Sequence, residues 1–254
     1  MSPDRAERPV ALITGAAKRV GRATALAFVD AGCDLVITYR TSEDEAQELR
    51  DEASARAATV RLEHLDLNDL DATSALGERL AKDLPRLDVL VHNASIYGPT
   101  PLESLAAADA LRHYRVNALA PLLLTRDLAP LLRESPLPGG GAVVAMADIH
   151  AMGRPRKQFS AYAMSKAALV EMVRTLAREL APRIRVNAVA PGVVAFPDEG
   201  YESSESEQAA YLSRVPLERT GTPEDAAAAV RWLALEARYV TGEVVRVDGG
   251  RWLG

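Results

Sequence analysis

Val10-Ala11-Leu12-Ile13-Thr14-Gly15-Ala16-Ala17-Lys18-Arg19-Val20-Gly21-Arg22, running into Ala23-Thr24-Ala25, decides the fold. A short apolar run ends in a glycine-bearing turn and passes directly into a helical pattern. A glycine at a strand end permits a tight turn, and a second at the helix start lets helix and strand pack closely. The uncovered N–H groups of the helix start then suit a pyrophosphate. Gly15 and Gly21 take the two glycine places, with Lys18, Arg19 and Val20 between them. The motif indicates a nucleotide and leaves the chemistry open.

Outward from this turn, short apolar runs alternate with longer amphipathic stretches, the pattern of βαβ units and a parallel sheet covered on both faces. Strands are predicted at Val10–Thr14, Leu35–Tyr39, Thr59–Glu63, Val89–His92, Ala142–Met146, Ile184–Val189 and Val244–Val247. Helices are predicted at about 17–31, 43–56, 69–83, 104–133, 161–181 and 223–236, with Ser42, Asn68 and Thr222 as N-caps and Pro121 kinking the fourth or starting a new turn. The sequence therefore predicts one α/β domain over 1–254, a doubly wound Rossmann-type sheet of seven parallel strands, with no repeat and no linker. The segment 196–214, rich in Asp, Glu and Ser, reads either as a lid on the substrate side or as a solvated acidic loop with a short helix.

Composition narrows the classes. The 254 residues are 48% apolar and 26% charged, which excludes wholesale disorder. A net charge of −5 gives no overall positive field for nucleic acid or anionic lipid. No uninterrupted apolar stretch is long enough to span a bilayer, and Met1 to Pro9 does not read as a signal peptide, so a cytoplasmic protein without nucleic-acid or membrane partners is expected. Cys33 is the sole cysteine and the four histidines lack zinc-motif spacing, so neither a disulfide nor a metal is expected.

The end of the second strand reads Tyr39-Arg40-Thr41-Ser42. An acidic residue there would accept the hydroxyls of an adenosine ribose, whereas a basic fork accommodates a 2′-phosphate. Arg40 and Ser42, with Lys18 and Arg19 on the neighbouring turn, predict NADPH in preference to NADH.

Further along, Tyr162-Ala163-Met164-Ser165-Lys166 places a phenol and an ammonium four apart on one helix face. With the first turn, with His92-Asn93-Ala94-Ser95, with Asn117, with Pro191-Gly192 and with Val240-Thr241-Gly242, all in order, the chain resembles the short-chain dehydrogenase/reductase family over nearly its whole length. The resemblance implies Tyr162 as the proton-transfer residue, Lys166 as its activator and holder of the nicotinamide ribose, and Asn117 as support for a proton-relay water. A nearby ammonium would bring a phenol down from its ordinary pKa of ~10 toward neutrality. It further implies Asn93, with Ala94 and Ser95, on the adenosine side of the cleft, Asp66 at the adenine amine, and a homotetramer.

The chain departs from the common family pattern at Arg19, where a glycine is usual, and at Ala147-Asp148-Ile149, where a serine is usual. Together with Tyr-Arg-Thr-Ser and with Asn93-Ala94-Ser95-Ile96-Tyr97-Gly98-Pro99-Thr100-Pro101-Leu102, these departures resemble the pteridine reductase branch, which reduces dihydromonapterin, dihydrofolate and biopterin. That resemblance implies a pterin or folate ring stacked on Tyr97, with Arg19 and Ser95 near it. A carboxylate at Asp148 would repel the charge developing on a ketone oxygen but suits proton relay to an imine nitrogen. Asp148 lies one residue further from Tyr162 than the family spacing, leaving Ile149 at the nominal position. Either an extra residue in the Gly153–Phe159 loop restores Asp148 to the site, or Ile149 fills it. Two other readings stay open: an NADPH-dependent reductase of a 3-oxoacyl thioester or small ketone, and an NADP-binding sensor without turnover.

Overall fold

The computed structural model describes residues 8–154, 156–196 and 204–253. Seven strands, β1 (Val10–Ile13), β2 (Asp34–Tyr39), β3 (Val60–His64), β4 (Val89–His92), β5 (Gly141–Met146), β6 (Ile184–Pro191) and β7 (Val244–Val247), form one sheet in the order β3-β2-β1-β4-β5-β6-β7. Every neighbouring pair is parallel. Strand order reverses between β1 and β4, and in such sheets the crevice beyond the carboxyl ends of the strands at that point receives the ligand.

The helices are α1 (Arg19–Asp30), α2 (Glu43–Ala55), α3 (Leu70–Asp83), α4 (Ala107–Tyr114), α5 (Ala120–Arg133), α6 (Ser160–Glu179), α7 (Glu205–Leu212) and α8 (Pro223–Leu235). Side chains alternate across each strand. Leu12 and Leu90 therefore face α3, α5 and α6, while Ala11, Ile13, Val89 and Val91 face α1, α2 and α8. This is the Rossmann-type architecture with both faces of the sheet covered, the reason its central strands are apolar at nearly every position. Among the described residues no helix is long and apolar enough to cross a membrane.

Three local expectations are corrected. The stretch 104–133 is not one helix: α4 ends at Tyr114, a π-helical turn spans Arg115–Leu119, and α5 starts with Pro121 in its first turn. Proline lacks the N–H that a continuing helix would need but is tolerated in a first turn, so Pro121 marks a start and not a kink. Asp69, not Asn68, caps α3: its carboxylate accepts from the backbone N–H of Ala72 at 2.9 Å, while the Asn68 N–H is bound by Asp66. Ser42 precedes α2 without capping it through its side chain, whereas Thr222 makes a full capping box with Asp225. Of the segment 196–214, residues 197–203 lie outside the described residues, and α7 forms the short helix that the sequence allowed.

Candidate active site

The turn between β1 and α1 is built by close approach. Gly15 has φ +63°, and a Cβ there would stand 2.8 Å from Ala94 Cβ. At Gly21 a Cβ would meet Gly15 O at 2.3 Å and Asn93 Nδ2 at 2.6 Å. Asn93 fastens the turn to the end of β4: its Nδ2 donates to Thr14 O and Gly15 O, both at 2.9 Å. Thr14 Oγ1 returns the contact by accepting from the N–H groups of Asn93 and Ala94 at 3.0 and 3.1 Å. Asn93 thus shapes the cleft by holding its floor. No side chain caps α1, so its leading N–H groups stay open to a ligand. Arg19 takes φ +50°, the left-handed region that a glycine would occupy without strain; for arginine this costs roughly 1–3 kcal/mol.

Around this turn lies a cleft of about 500 Å³ that extends from the adenosine end to the α6 tyrosine. It gathers Gly15, Lys18, Arg19, Val20, Gly21, Arg40, Ser42, Asp66, Asn93, Ala94, Ser95, Tyr97, Asp148, Tyr162, Lys166, Pro191 and Gly192; of the expected residues, only Asn117 does not line it. Lys18 is ion-paired with Glu45 at 2.6 Å, an exposed pair of small worth. Among the described residues Arg19 and Arg40 have no ion-pair partner. Asp66 receives the Asn68 N–H on one oxygen at 2.9 Å, leaving the other for an adenine-like amine.

At the far end the phenolic hydroxyl of Tyr162 donates to Asp148 Oδ2 at 2.6 Å, and Asp148 Oδ1 accepts from the N–H of His150 at 2.7 Å. Ile149 is buried in the core. Asp148 therefore occupies the position next to the tyrosine. The structure reverses the expected perturbation of Tyr162. Burial and then the Asp148 carboxylate push the phenol well above its ordinary range, against a downward pull from Arg156. The Lys166 ammonium donates to Met146 O at 2.6 Å, and its own pKa is brought down to about 8 by burial, against an upward pull from Asp148.

Asn117 sits in the π-helical turn, a distortion often found at functional sites. Its amide is held on both sides: Nδ2 donates to Ile96 O at 3.0 Å and to Ser165 Oγ at 2.9 Å, and Oδ1 accepts from Ile96 N at 2.9 Å. The side chain thus ties the loop after β4 to α6. Sequence reading missed Ser165, which lies inside the quoted Tyr162–Lys166 motif, and Phe159, whose signal was an aromatic three residues before Tyr162. Phe159 stacks on Tyr97 with centroids 5.0 Å apart, and Tyr97 meets Tyr162 edge to face at 4.9 Å.

A glycine turn at the switch point, open helix N–H groups and a tyrosine–lysine pair at the other end of one cleft define an NAD(P)-dependent oxidoreductase. Residues 15–251 match the family model described as enoyl-(acyl carrier protein) reductase. An uncharacterised oxidoreductase of Mycobacterium tuberculosis is 36% identical, covering 97% of this chain and 93% of the relative. The 3-oxoacyl-[acyl-carrier-protein] reductase of Thermotoga maritima is 35% identical, covering 97% and 98%. Among solved structures, a blue fluorescent protein from a metagenomic library in complex with NADPH superposes with a TM-score of 0.86 at 30% identity, covering 96% of this chain and 97% of that one. The chain belongs to the short-chain dehydrogenase/reductase family.

Proposed function

We propose that the protein is an NADPH-dependent reductase of a C=N bond in a dihydropterin- or dihydrofolate-like ring. The observation that carries this reading is the hydrogen bond from Tyr162 to Asp148. A carboxylate at this place opposes an oxyanion developing on a carbonyl substrate, whereas beside an imine nitrogen taking up a proton it is favourable. Because burial and Asp148 raise the phenol, Tyr162 stays protonated across the neutral range and acts as a donor, which favours reduction over oxidation. Asp148, joined to the phenol, relays the replacing proton from water. Tyr97, backed by the buried Phe159, supplies an aromatic wall for a flat ring, with Arg19 and Ser95 in the same cleft.

The residues fit the dinucleotide, since the space at Gly15 and Gly21 is closed to any Cβ and the helix start above it is uncapped. The start of α1 would hold the pyrophosphate, and Arg40, Ser42 and Lys18 the 2′-phosphate. Asp66, with Asn93 and Ala94, would take the adenosine side; Lys166, Pro191 and Gly192 would take the nicotinamide side. NADPH bound there would supply a hydride for the ring carbon. Exposed Leu111, Tyr114 and Leu122 on α4 and α5 support the expected homotetramer.

The reading is tested by NADPH oxidation with dihydrobiopterin, dihydromonapterin and dihydrofolate beside an acetoacetyl thioester. Pterin or folate turnover supports it. Thioester turnover with silent pterins would support instead a 3-oxoacyl reductase, the activity named for the Thermotoga relative.

A further inference from the structure

We infer that Arg156 is a specificity-determining residue: its guanidinium locks Tyr97 beside Phe159, making a rigid aromatic platform at Tyr162 that favours a flat ring over a flexible chain. The inference rests on the reading of the site as one for a planar heteroaromatic substrate. Phe159 is 1% exposed and fixed in the core, whereas Tyr97 is 49% exposed and stands on the loop after β4. An isolated side chain so placed would sample several rotamers. Arg156 restrains it in two ways: its Nη1 donates to Tyr97 Oη, and its guanidinium carbon lies 4.6 Å from the Phe159 ring and 5.8 Å from the Tyr97 ring. Only a planar fork stacks on one ring while donating in its own plane to the hydroxyl of another.

The backbone supports the same arrangement. The N–H of Thr100 donates to Gln158 O, and the N–H of Ala161 donates to Thr100 Oγ1 at 3.3 Å, so the loop after β4 and the segment before α6 are joined on both sides of the platform. Gln158 is held at φ +64°, a left-handed geometry that tertiary contacts must maintain. The Tyr97–Phe159 stack, with rings inclined by 29°, leaves the half-exposed tyrosine open to the cleft next to the Tyr162 hydroxyl. Arg156 acts through Tyr97 and is a positioning residue.

The test is steady-state kinetics with NADPH on the wild type, Arg156→Ala, Arg156→Lys and Tyr97→Phe. Dihydrobiopterin is compared with a phenyl-substituted 1,2-diketone and with diacetyl, and thermal melts confirm that each variant folds. Releasing one fixed side chain should raise KM for the two ring substrates roughly 2- to 12-fold. In Arg156→Ala, kcat should stay within about twofold and KM for diacetyl should not move. Arg156→Lys, which keeps the charge and loses the fork, should behave like Arg156→Ala. Equal changes for ring and aliphatic substrates, no change at all, a loss confined to kcat, or turnover of diacetyl alone would overturn the inference. Silent dihydrobiopterin with an accepted phenyl diketone that depends on Arg156 would sink the pterin reading and sustain Arg156.

Discussion

The Tyr162 hydroxyl donates its hydrogen bond to Asp148 Oδ2 at 2.6 Å, while the Lys166 ammonium is turned to the carbonyl of Met146 at 2.6 Å. The two charged groups thus bracket the reacting end of the cleft from different strands of contact, Asp148 fixed at the end of β5 and Lys166 one helical turn beyond the tyrosine. Their arrangement makes the phenol a protonated donor, and the chemistry proposed for the site follows from it.

The turn between β1 and α1 has no room for a side chain at Gly15 or Gly21. Gly21→Ala places a methyl 2.3 Å from Gly15 O and 2.6 Å from Asn93 Nδ2. Urea unfolding should show a loss of about 1–3 kcal/mol, with weakened NADPH binding in calorimetry. Gly98→Ala, where a Cβ meets nothing within 4 Å, should leave both unchanged.

Cofactor choice should turn on Arg40. Arg40→Asp removes a charge-assisted contact to the 2′-phosphate and offers an acceptor to a ribose diol, so KM for NADPH should rise roughly 10- to 100-fold while KM for NADH falls. Unchanged preference in paired initial-rate measurements would show that Arg40 does not face the phosphate.

Acid should destabilise the fold through His92. The ring is fully buried, its Nε2 donates to Thr125 Oγ1 at 2.7 Å, and burial pushes its pKa down to about 3. The unfolded chain binds this proton near pH ~6.5 and the folded chain does not until about 3, so the unfolded state holds more protons between those values. Stability is full above the upper value and falls with decreasing pH through the window, by up to ~1.4 kcal/mol per pH unit from this group. Urea titrations from about pH 7 to pH 4 should show that slope in the wild type and a shallower one in His92→Leu.

Periodicity and turn chemistry made the sheet legible, since most strands are short apolar runs and each crossover is long enough for a helix. Five of the seven are followed within two residues by Gly, Asn or Asp and hold no charged residue inside the run save Arg185 or Arg246. The break at Arg115–Leu119 was not legible, because apolar residues continue at helical spacing from Leu111 into α5 and only Pro121 signals a boundary. The site residues were legible by type and order, but their partners were not. Spacing puts Lys166 near Tyr162, yet which group meets the hydroxyl depends on where β5 delivers Asp148, a tertiary matter. The competition between Asp148 and Ile149 was likewise decided by packing, since Ile149 fits a dry core and a carboxylate does not. Asn93 and Asn117 read as site residues by motif, but the backbone groups that their amides hold were not legible in the sequence.

In the proposed reaction the Asp148 carboxylate directs the Tyr162 proton to a C=N bond. The decisive measurement is kcat/KM for dihydrobiopterin and for an acetoacetyl thioester in the wild type, Asp148→Ser and Tyr162→Phe. Pterin turnover should fall about 100-fold or more in both variants, and Asp148→Ser should gain on the thioester as the repelling charge is removed. Undiminished pterin turnover in Asp148→Ser, or a wild type that reduces only the thioester, would contradict the proposed reaction.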